Sequence, residues 1–113
     1  MTHVHRIIAI GATLLAFTGT VQAQQAGDPA LGKRKALQCQ GCHGLTGISR
    51  MPDAPTLAGQ REAYLVKALI DFKEGRHHNE SMNVMAQMLS EQEIRDVAAY
   101  YASFEIEIKP KAQ

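Results

Sequence analysis

The stretch CQGCH, from Cys39 to His43, contains both cysteines of this 113-residue chain. Two cysteines three positions apart occur in thioredoxin-like redox pairs, in zinc sites and in short disulfides. A redox pair belongs near a βαβ pattern, which this sequence lacks. A structural zinc site needs four ligands, and after the N-terminal segment only His77 and His78 remain to complete one. A disulfide across so short a loop would constrain the unfolded chain little.

The histidine that directly follows the second cysteine favours a fourth interpretation, covalent attachment of haem. In such a motif Cys39 and Cys42 add across the two vinyl groups, and His43 is carried beneath the ring to bind the iron. An exported chain without a βαβ pattern or a second metal-binding pair fits this interpretation best. We therefore expect one covalently attached haem c, with its iron, as the cofactor.

The first 23 residues have the three-part layout of a secretory signal peptide. A positive charge on Arg6 precedes an uncharged, mostly apolar run from Ile7 to Phe17, and small residues at Val21 and Ala23 suit a signal peptidase. The alternative is a membrane anchor, but this run is well short of the roughly 20 apolar residues that a span needs. We expect cleavage after Ala23, export to the periplasm, and a mature domain of residues 24–113.

The mature chain would have 90 residues and a balanced charge. Removing Arg6 from the 12 Lys and Arg leaves 11, which equals the 11 Asp and Glu. Proteins that bind nucleic acid usually carry a basic patch or stripe, so the balance argues against such a partner. After residue 23 nothing is apolar enough to span a membrane. A domain this small often gains stability from a cofactor, which agrees with the haem motif.

The hydrophobic pattern predicts an all-α fold of three main helices plus loops. Asp28-Pro29 begins a helix that runs into Cys39, because Asp can cap and Pro suits the first helical position. Residues 44–59 are a loop, residues 61–74 a helix that Gly75 ends, and residues 76–89 an irregular segment. Ser90 and Glu93 form a capping box for the last helix. No alternating stretch is long enough for a paired strand.

The other face of the iron would need a sixth ligand. The candidates are His77, His78, Met82, Met85 and Met88, which lie in the irregular segment between two helices. Methionine is more often a packing residue than a ligand. At most one of the three methionines can bind the iron, so at least two of them are packing residues.

From about Gly27 to Ser103 the chain resembles the small bacterial class I cytochromes c, of the soluble mono-haem type whose domain is duplicated in di-haem relatives. The individual matches are weak apart from the haem motif, but their order and spacing are specific. The matching residues are Gly32, Cys39 to Gly44, Pro55 to Gln60, Tyr64-Leu65, Gly75, Met82, Leu89-Ser90 and Ala98 to Ala102.

The resemblance implies roles for several residues. Cys39 and Cys42 form the thioether links, and His43 is the proximal ligand. The carbonyl of Pro55 accepts a hydrogen bond from the far nitrogen of His43, which fixes the ring and raises its basicity. Gly32 allows close contact between the first and last helices near Tyr100.

The resemblance also selects the sixth ligand. In the family the axial methionine lies seven residues before the leucine that precedes the last helix, here Leu89, which implies Met82 as the ligand. Met85 then corresponds to a core methionine. The pair His77 and His78 departs from the family pattern and has no assigned role, so ligation by two histidines stays open as an alternative.

With His and Met on the iron no position is left for a substrate, so we expect electron transfer and no enzymatic activity. We expect a monomeric, diffusible carrier between redox proteins. The alternatives are a haem subunit bound permanently to a flavoprotein or alcohol dehydrogenase, and a gas-binding or peroxidatic protein. The basic run from Lys33 to Lys35 either steers an acidic partner or is the solvated face of a helix.

Overall fold

The computed structural model describes residues 25–110, and the expected signal peptide, residues 1–23, lies outside them. The described part is helical and contains no strand, which confirms the all-α prediction. No helix within it has the length and apolar character to cross a bilayer. The helices are α1 (Pro29–Lys35), α2 (Gln40–His43), α3 (Glu62–Lys73), α4 (Glu80–Gln87) and α5 (Glu91–Ala102), with a 3₁₀ turn at Ala36–Gln38 between α1 and α2.

Helix α1 begins as predicted and packs against α5. The Asp28 side chain accepts hydrogen bonds from the backbone N–H groups of Ala30 and Leu31, and Pro29 is the first helical residue. A β-carbon on Gly32 would lie 1.9 Å from the carbonyl oxygen of Asp96, so only glycine allows this approach. The predicted contact of Gly32 with the last helix is therefore confirmed.

The segment before α1 is tied to α5 by a buried carboxylate. Asp96 is 4% exposed, and its Oδ1 accepts the backbone N–H of Asp28 at 2.8 Å. The Gln92 side chain donates to the same Oδ1 at 2.8 Å and to the carbonyl of Ala26 at 3.2 Å. Two hydrogen bonds thus join the beginning of the domain to its last helix, and the bond between Gln92 and Asp96 within α5 connects them.

Helices α3 and α5 match the sequence-based boundaries closely. Gly75, with a φ of 72°, follows the end of α3, and the capping box of Ser90 and Glu93 is present at the start of α5. Lys35 forms an ion pair with the Glu93 carboxylate, so this member of the basic run belongs to the helix start. The core lies between α1, α3 and α5, and includes Ala36, Leu65, Val97, Ala98 and Tyr101.

The prediction of an irregular segment over residues 76–89 was wrong. Its central part is α4, and the Asn79 side chain caps it by accepting the backbone N–H of Met82 at 3.0 Å. Met82, Met85, Ala86 and Leu89 have the spacing of one helix face, which packs toward α3. The fold consequently has a fourth substantial helix rather than three helices and a loop.

Candidate haem site

The haem motif forms the short helix α2 together with the residue that precedes it. Cys39 follows the 3₁₀ turn and caps α2, while His43 is the last residue of α2. Both cysteines are free thiols; Cys39 is half-buried and Cys42 is exposed. The structure thus presents two thiols one helical turn apart, with the histidine directly after the second.

His43 is held in one orientation by a backbone carbonyl that lies 12 positions further along the sequence. Its side chain is buried, at 6% exposure, and Nδ1 lies 2.8 Å from the carbonyl oxygen of Pro55, to which it donates. The predicted contact between these residues is therefore present. A hydrogen on Nδ1 leaves the Nε2 lone pair of a neutral ring free, and this nitrogen has no hydrogen-bond partner among residues 25–110.

The loop that carries Pro55 is irregular but is fixed by backbone hydrogen bonds. The carbonyl of Gly47 accepts the N–H groups of Leu57 and Ala58, at 2.7 and 3.1 Å. Beyond them, the N–H of Gly59 donates to the carbonyl of Tyr101 on α5 at 2.9 Å. We call residues 39–59 the attachment region; it brings together Cys39, Cys42, His43 and Pro55.

Cys39 has a buried neighbour that sequence analysis did not single out for the site. It packs against the core cluster that contains Tyr101, and the phenol hydroxyl lies beside its thiol. Burial raises the pKa of the Cys39 thiol, and it raises the pKa of Tyr101 above its usual range. The sequence placed Tyr101 only in the buried stripe of the last helix, and no local pattern relates it to a cysteine 62 positions earlier.

The predicted sixth ligand belongs to a separate part of the structure. Met82 is half-buried in the first turn of α4, Met85 is half-buried one turn later, and Met88 is 62% exposed after the helix. We call residues 76–89 the methionine region. It packs on α3, and Asn83 joins it there by donating to the carbonyls of Phe72 and His77, at 2.7 and 2.8 Å.

The two unassigned histidines lie at the start of the methionine region. The ring of His77 stacks on Phe72, with centroids 4.5 Å apart and planes 10° from parallel. His78 is exposed to solvent. Among residues 25–110, no three His, Cys, Asp or Glu side chains form a group that could hold a metal ion by themselves, so these histidines do not combine with the cysteines in a zinc site.

The side chains around the motif fit a covalently held haem c. Two free thiols and an imidazole with an available Nε2 provide the covalent and coordinate bonds such a group needs. Large apolar side chains flank the motif in an exposed state, Leu37 at 66% and Leu45 at 78%. An apolar group such as a haem, bound at the motif, could cover these side chains.

Comparison with known proteins identifies the family. The profile of the cytochrome c family matches residues 29–104. Cytochrome c4 of Thiocapsa roseopersicina is 51% identical over 82 residues, 72% of this chain and 42% of that protein. The cytochrome subunit of sulfide dehydrogenase from Chlorobaculum tepidum is 35% identical over 72 residues, 64% of each chain.

A solved structure agrees with these sequence matches. Reduced recombinant cytochrome c4 from Pseudomonas stutzeri superposes with a TM-score of 0.67 at 39% identity, over 71% of this chain and 47% of that one. The chain spans about half the length of the cytochrome c4 relatives that it matches. The match therefore corresponds to one domain of these longer proteins, as the resemblance in sequence implied. This chain belongs to the cytochrome c family, with the fold of class I and covalently bound haem c as its cofactor.

Proposed function

We propose that this protein is a periplasmic carrier of single electrons, with one haem c linked to Cys39 and Cys42 and bound on the iron by His43 and Met82. The observation that carries this proposal is the buried His43 ring, which donates to the Pro55 carbonyl at 2.8 Å. A carbonyl partner sets the tautomer and orientation that an axial histidine requires. The haem, when bound, supplies the reversible exchange of one electron at its iron.

The contacts of the methionine region disfavour Met88 and His77 for the second axial position, and the spacing to Leu89 in the resembling family selects Met82. Its backbone N–H is bonded to the Asn79 side chain, which fixes the first turn of α4. Met88 lies two turns further on and is mostly exposed. The ring of His77 is occupied by stacking on Phe72. Met85, on the same helix face as Met82, is the remaining competitor and is proposed as a packing residue.

Two protein ligands would leave the iron without a vacant position, so the chain's role is to hold the haem rather than to bind a substrate on it. His43 and Met82 come from regions that different helices support, and the protein closes both faces of the ring. A methionine ligand also raises the reduction potential. These features suit electron transfer and disfavour gas binding and peroxidatic chemistry.

The proposed location follows from the N-terminal segment. Residues 1–23 would direct export and be removed after Ala23, so the mature protein begins at Gln24. Mass spectrometry of the periplasmic fraction should give the mass of residues 24–113 plus one haem. Recovery of the uncleaved chain from membranes would contradict this part of the proposal.

A permanent place in an enzyme complex is the second candidate function. The similarity to the cytochrome subunit of sulfide dehydrogenase favours it. Lys33 and Arg34 are exposed on α1, near the motif in sequence, and offer positive charge to an acidic surface of a partner in either case. The donor and acceptor would be other redox proteins.

One experiment separates the two candidates. Native protein is passed over a size-exclusion column at low and at physiological salt, and the haem-containing fractions are titrated with a one-electron reductant. A carrier elutes at the mass of one mature chain and takes up one electron per haem. Elution with a second polypeptide at both salt concentrations would establish the subunit, and uptake of carbon monoxide by the reduced protein would contradict a closed iron.

A further inference from the structure

Tyr101 has a hydroxyl that the core does not satisfy. The residue is 1% exposed, and among residues 25–110 its hydroxyl is the one buried side-chain polar atom without a hydrogen-bond partner. Leaving such a group unpaired costs about 1–3 kcal/mol. A phenylalanine would avoid that cost with nearly the same shape, so the hydroxyl calls for a partner.

The ring of Tyr101 is fixed and cannot turn its hydroxyl to solvent. A β-carbon on Gly47 would lie 2.6 Å from its Cδ1, which means that the attachment region packs directly on the ring. The backbone carbonyl of Tyr101 accepts the N–H of Gly59 at 2.9 Å, and the ring of Tyr100 lies at a centroid distance of 5.1 Å. These contacts hold the hydroxyl in place from several sides.

Cys39 packs against the core cluster that contains Tyr101, and its side chain is half-buried there. Either the S–H of the free thiol or the phenol could act as a donor, but no hydrogen bond joins the two groups before the haem is attached. Attachment of haem adds the S–H across a vinyl group: an S–C bond forms, the hydrogen moves to the other vinyl carbon, and no electrons are gained or lost. The resulting thioether sulfur has no hydrogen and can only accept.

We infer that Tyr101 is a positioning residue that donates its hydroxyl hydrogen to the thioether sulfur of Cys39. The inference rests on the proposed attachment of haem at Cys39. This hydrogen bond would give the two thioether links different surroundings, because Cys42 is exposed and the phenol lies beside Cys39. The link at Cys39 is anchored to the core, whereas the link at Cys42 is hydrated.

The test compares Tyr101→Phe with Tyr100→Phe in purified protein with its haem attached. Both changes delete one hydroxyl and keep the ring, and Tyr100 is the half-buried neighbour on the same helix. We expect Tyr101→Phe to lower the denaturant midpoint and the reduction potential, because a donor at the edge of the haem stabilises the state that holds the extra electron. Tyr100→Phe should leave the potential unchanged.

The sign of the stability change decides the result. If the hydroxyl were unpaired, Tyr101→Phe would remove a desolvation cost and leave the midpoint unchanged or higher, which would overturn the inference. NMR of the reduced protein provides a direct observation: the Tyr101 hydroxyl proton should exchange slowly and show contacts to the β-protons of Cys39. A rapidly exchanging proton would also overturn it.

Peptide mass spectrometry separates failure of this inference from failure of the proposed function. A tryptic peptide in which both cysteines carry haem supports the proposed attachment, and a neutral Tyr101→Phe change would then refute only the role of Tyr101. A peptide in which Cys39 remains a free thiol would refute both.

Discussion

The attachment region and the methionine region differ in how they are held. Residues 44–59 of the attachment region contain no helix, yet hydrogen bonds tie the region together from His43 to Pro55 and to α5 through Gly59 and Tyr101. The methionine region is mostly a regular helix, but its ties are local. The backbone N–H of Asn79 donates to the Asn83 side chain, Asn83 donates to the carbonyl of Phe72 on α3, and Lys73 on α3 donates to the carbonyl of Leu89.

The comparison shows that a segment with regular secondary structure is not always the segment that is held most firmly. Many of the hydrogen bonds around α4 are at exposed positions, and Ala86 and Leu89 are the buried residues of the region. Segments with few buried contacts and exposed hydrogen bonds open at low free-energy cost. We therefore expect the methionine side of the iron to open before the histidine side, even though the histidine side is the irregular one.

The largest expected effect comes from removing the covalent links in the attachment region, because the haem they hold would lie against both regions. Changing Cys39 and Cys42 to Ala removes the covalent links, and the remaining core is small, with Tyr101 and Ile94 as its largest fully buried side chains. We expect a largely unfolded or degraded product, because a domain of this size buries a modest share of its surface. Far-UV circular dichroism checks this, and an apo form with full native helicity would contradict it.

The next effect isolates the methionine region. Met82→Ala should abolish the long-wavelength absorption band of the methionine–iron bond, lower the reduction potential and let the iron bind carbon monoxide, while haem stays attached. Met85→Leu is the matched control: it should keep the band and cost less than about 1.5 kcal/mol of unfolding free energy, since the volume is conserved. If Met85→Leu lost the band and Met82→Ala kept it, Met85 would be the ligand and Met82 the packing residue.

A smaller effect concerns the cap of α4. Asn79→Ala removes the acceptor for the Met82 N–H and should cost about 1 kcal/mol of unfolding free energy. Because the loss falls in the region that opens first, imidazole should displace the methionine ligand faster than in the unchanged protein. Ser90→Ala removes a cap of similar strength from α5 and serves as the control. Equal displacement rates in the two variants would contradict the predicted order of opening.

The smallest expected effect is a loss of stability at the turn around Asp71 as the pH falls. Hydrogen bonds from Lys67 and Arg76 lower the pKa of Asp71 below its ordinary value of 3.8. A lowered pKa means that the ion pairs stabilise the fold above that ordinary value, and that this contribution is lost as the pH falls through the lowered pKa. Asp71 also accepts the backbone N–H of His77 through its carbonyl, so the turn into α4 should loosen first.

Measurement of the methionine–iron band during acid titration tests this last prediction. Asp71→Asn should shift the loss of the band to higher pH by a small amount, since exposed ion pairs contribute little. Glu62→Gln is the control, because Glu62 forms no ion pair within residues 25–110. A larger shift in the control than in Asp71→Asn would refute the role of the turn.

Local patterns in the sequence account for most of the fold. The capping box at Ser90, the Asp28-Pro29 start and the positive φ of Gly75 are short-range signals, and each gave the correct helix boundary. The predicted irregular segment differs from helix α4 because methionines that suit an iron ligand in a loop suit the packed face of a helix equally well. Asn79 as a cap, followed by apolar residues of helical spacing at Met82 and beyond, would have predicted it.

The candidate site also contains residues that a local pattern predicts and residues that only tertiary packing brings together. The motif from Cys39 to His43 is a contiguous signal, and the resemblance to a family supplied Pro55. The contact of Cys39 with Tyr101 was not predicted, because it joins residues 62 positions apart and depends on how α5 packs. Such pairs follow from tertiary packing, which a single sequence does not reveal by periodicity.

The ties between Asp28 and Asp96, and between Ala26 and Gln92, also set an order of events as the chain emerges from the membrane during the proposed export. The N-terminal end emerges first, so the start of α1 lacks its partner on α5 until 68 further residues, from Asp28 to Asp96, have followed. Until then the two cysteines belong to a chain whose first helix is undocked. Because the thiol of Cys39 is half-buried in the folded domain, we expect the proposed haem attachment to be easier before the C-terminal helix has docked.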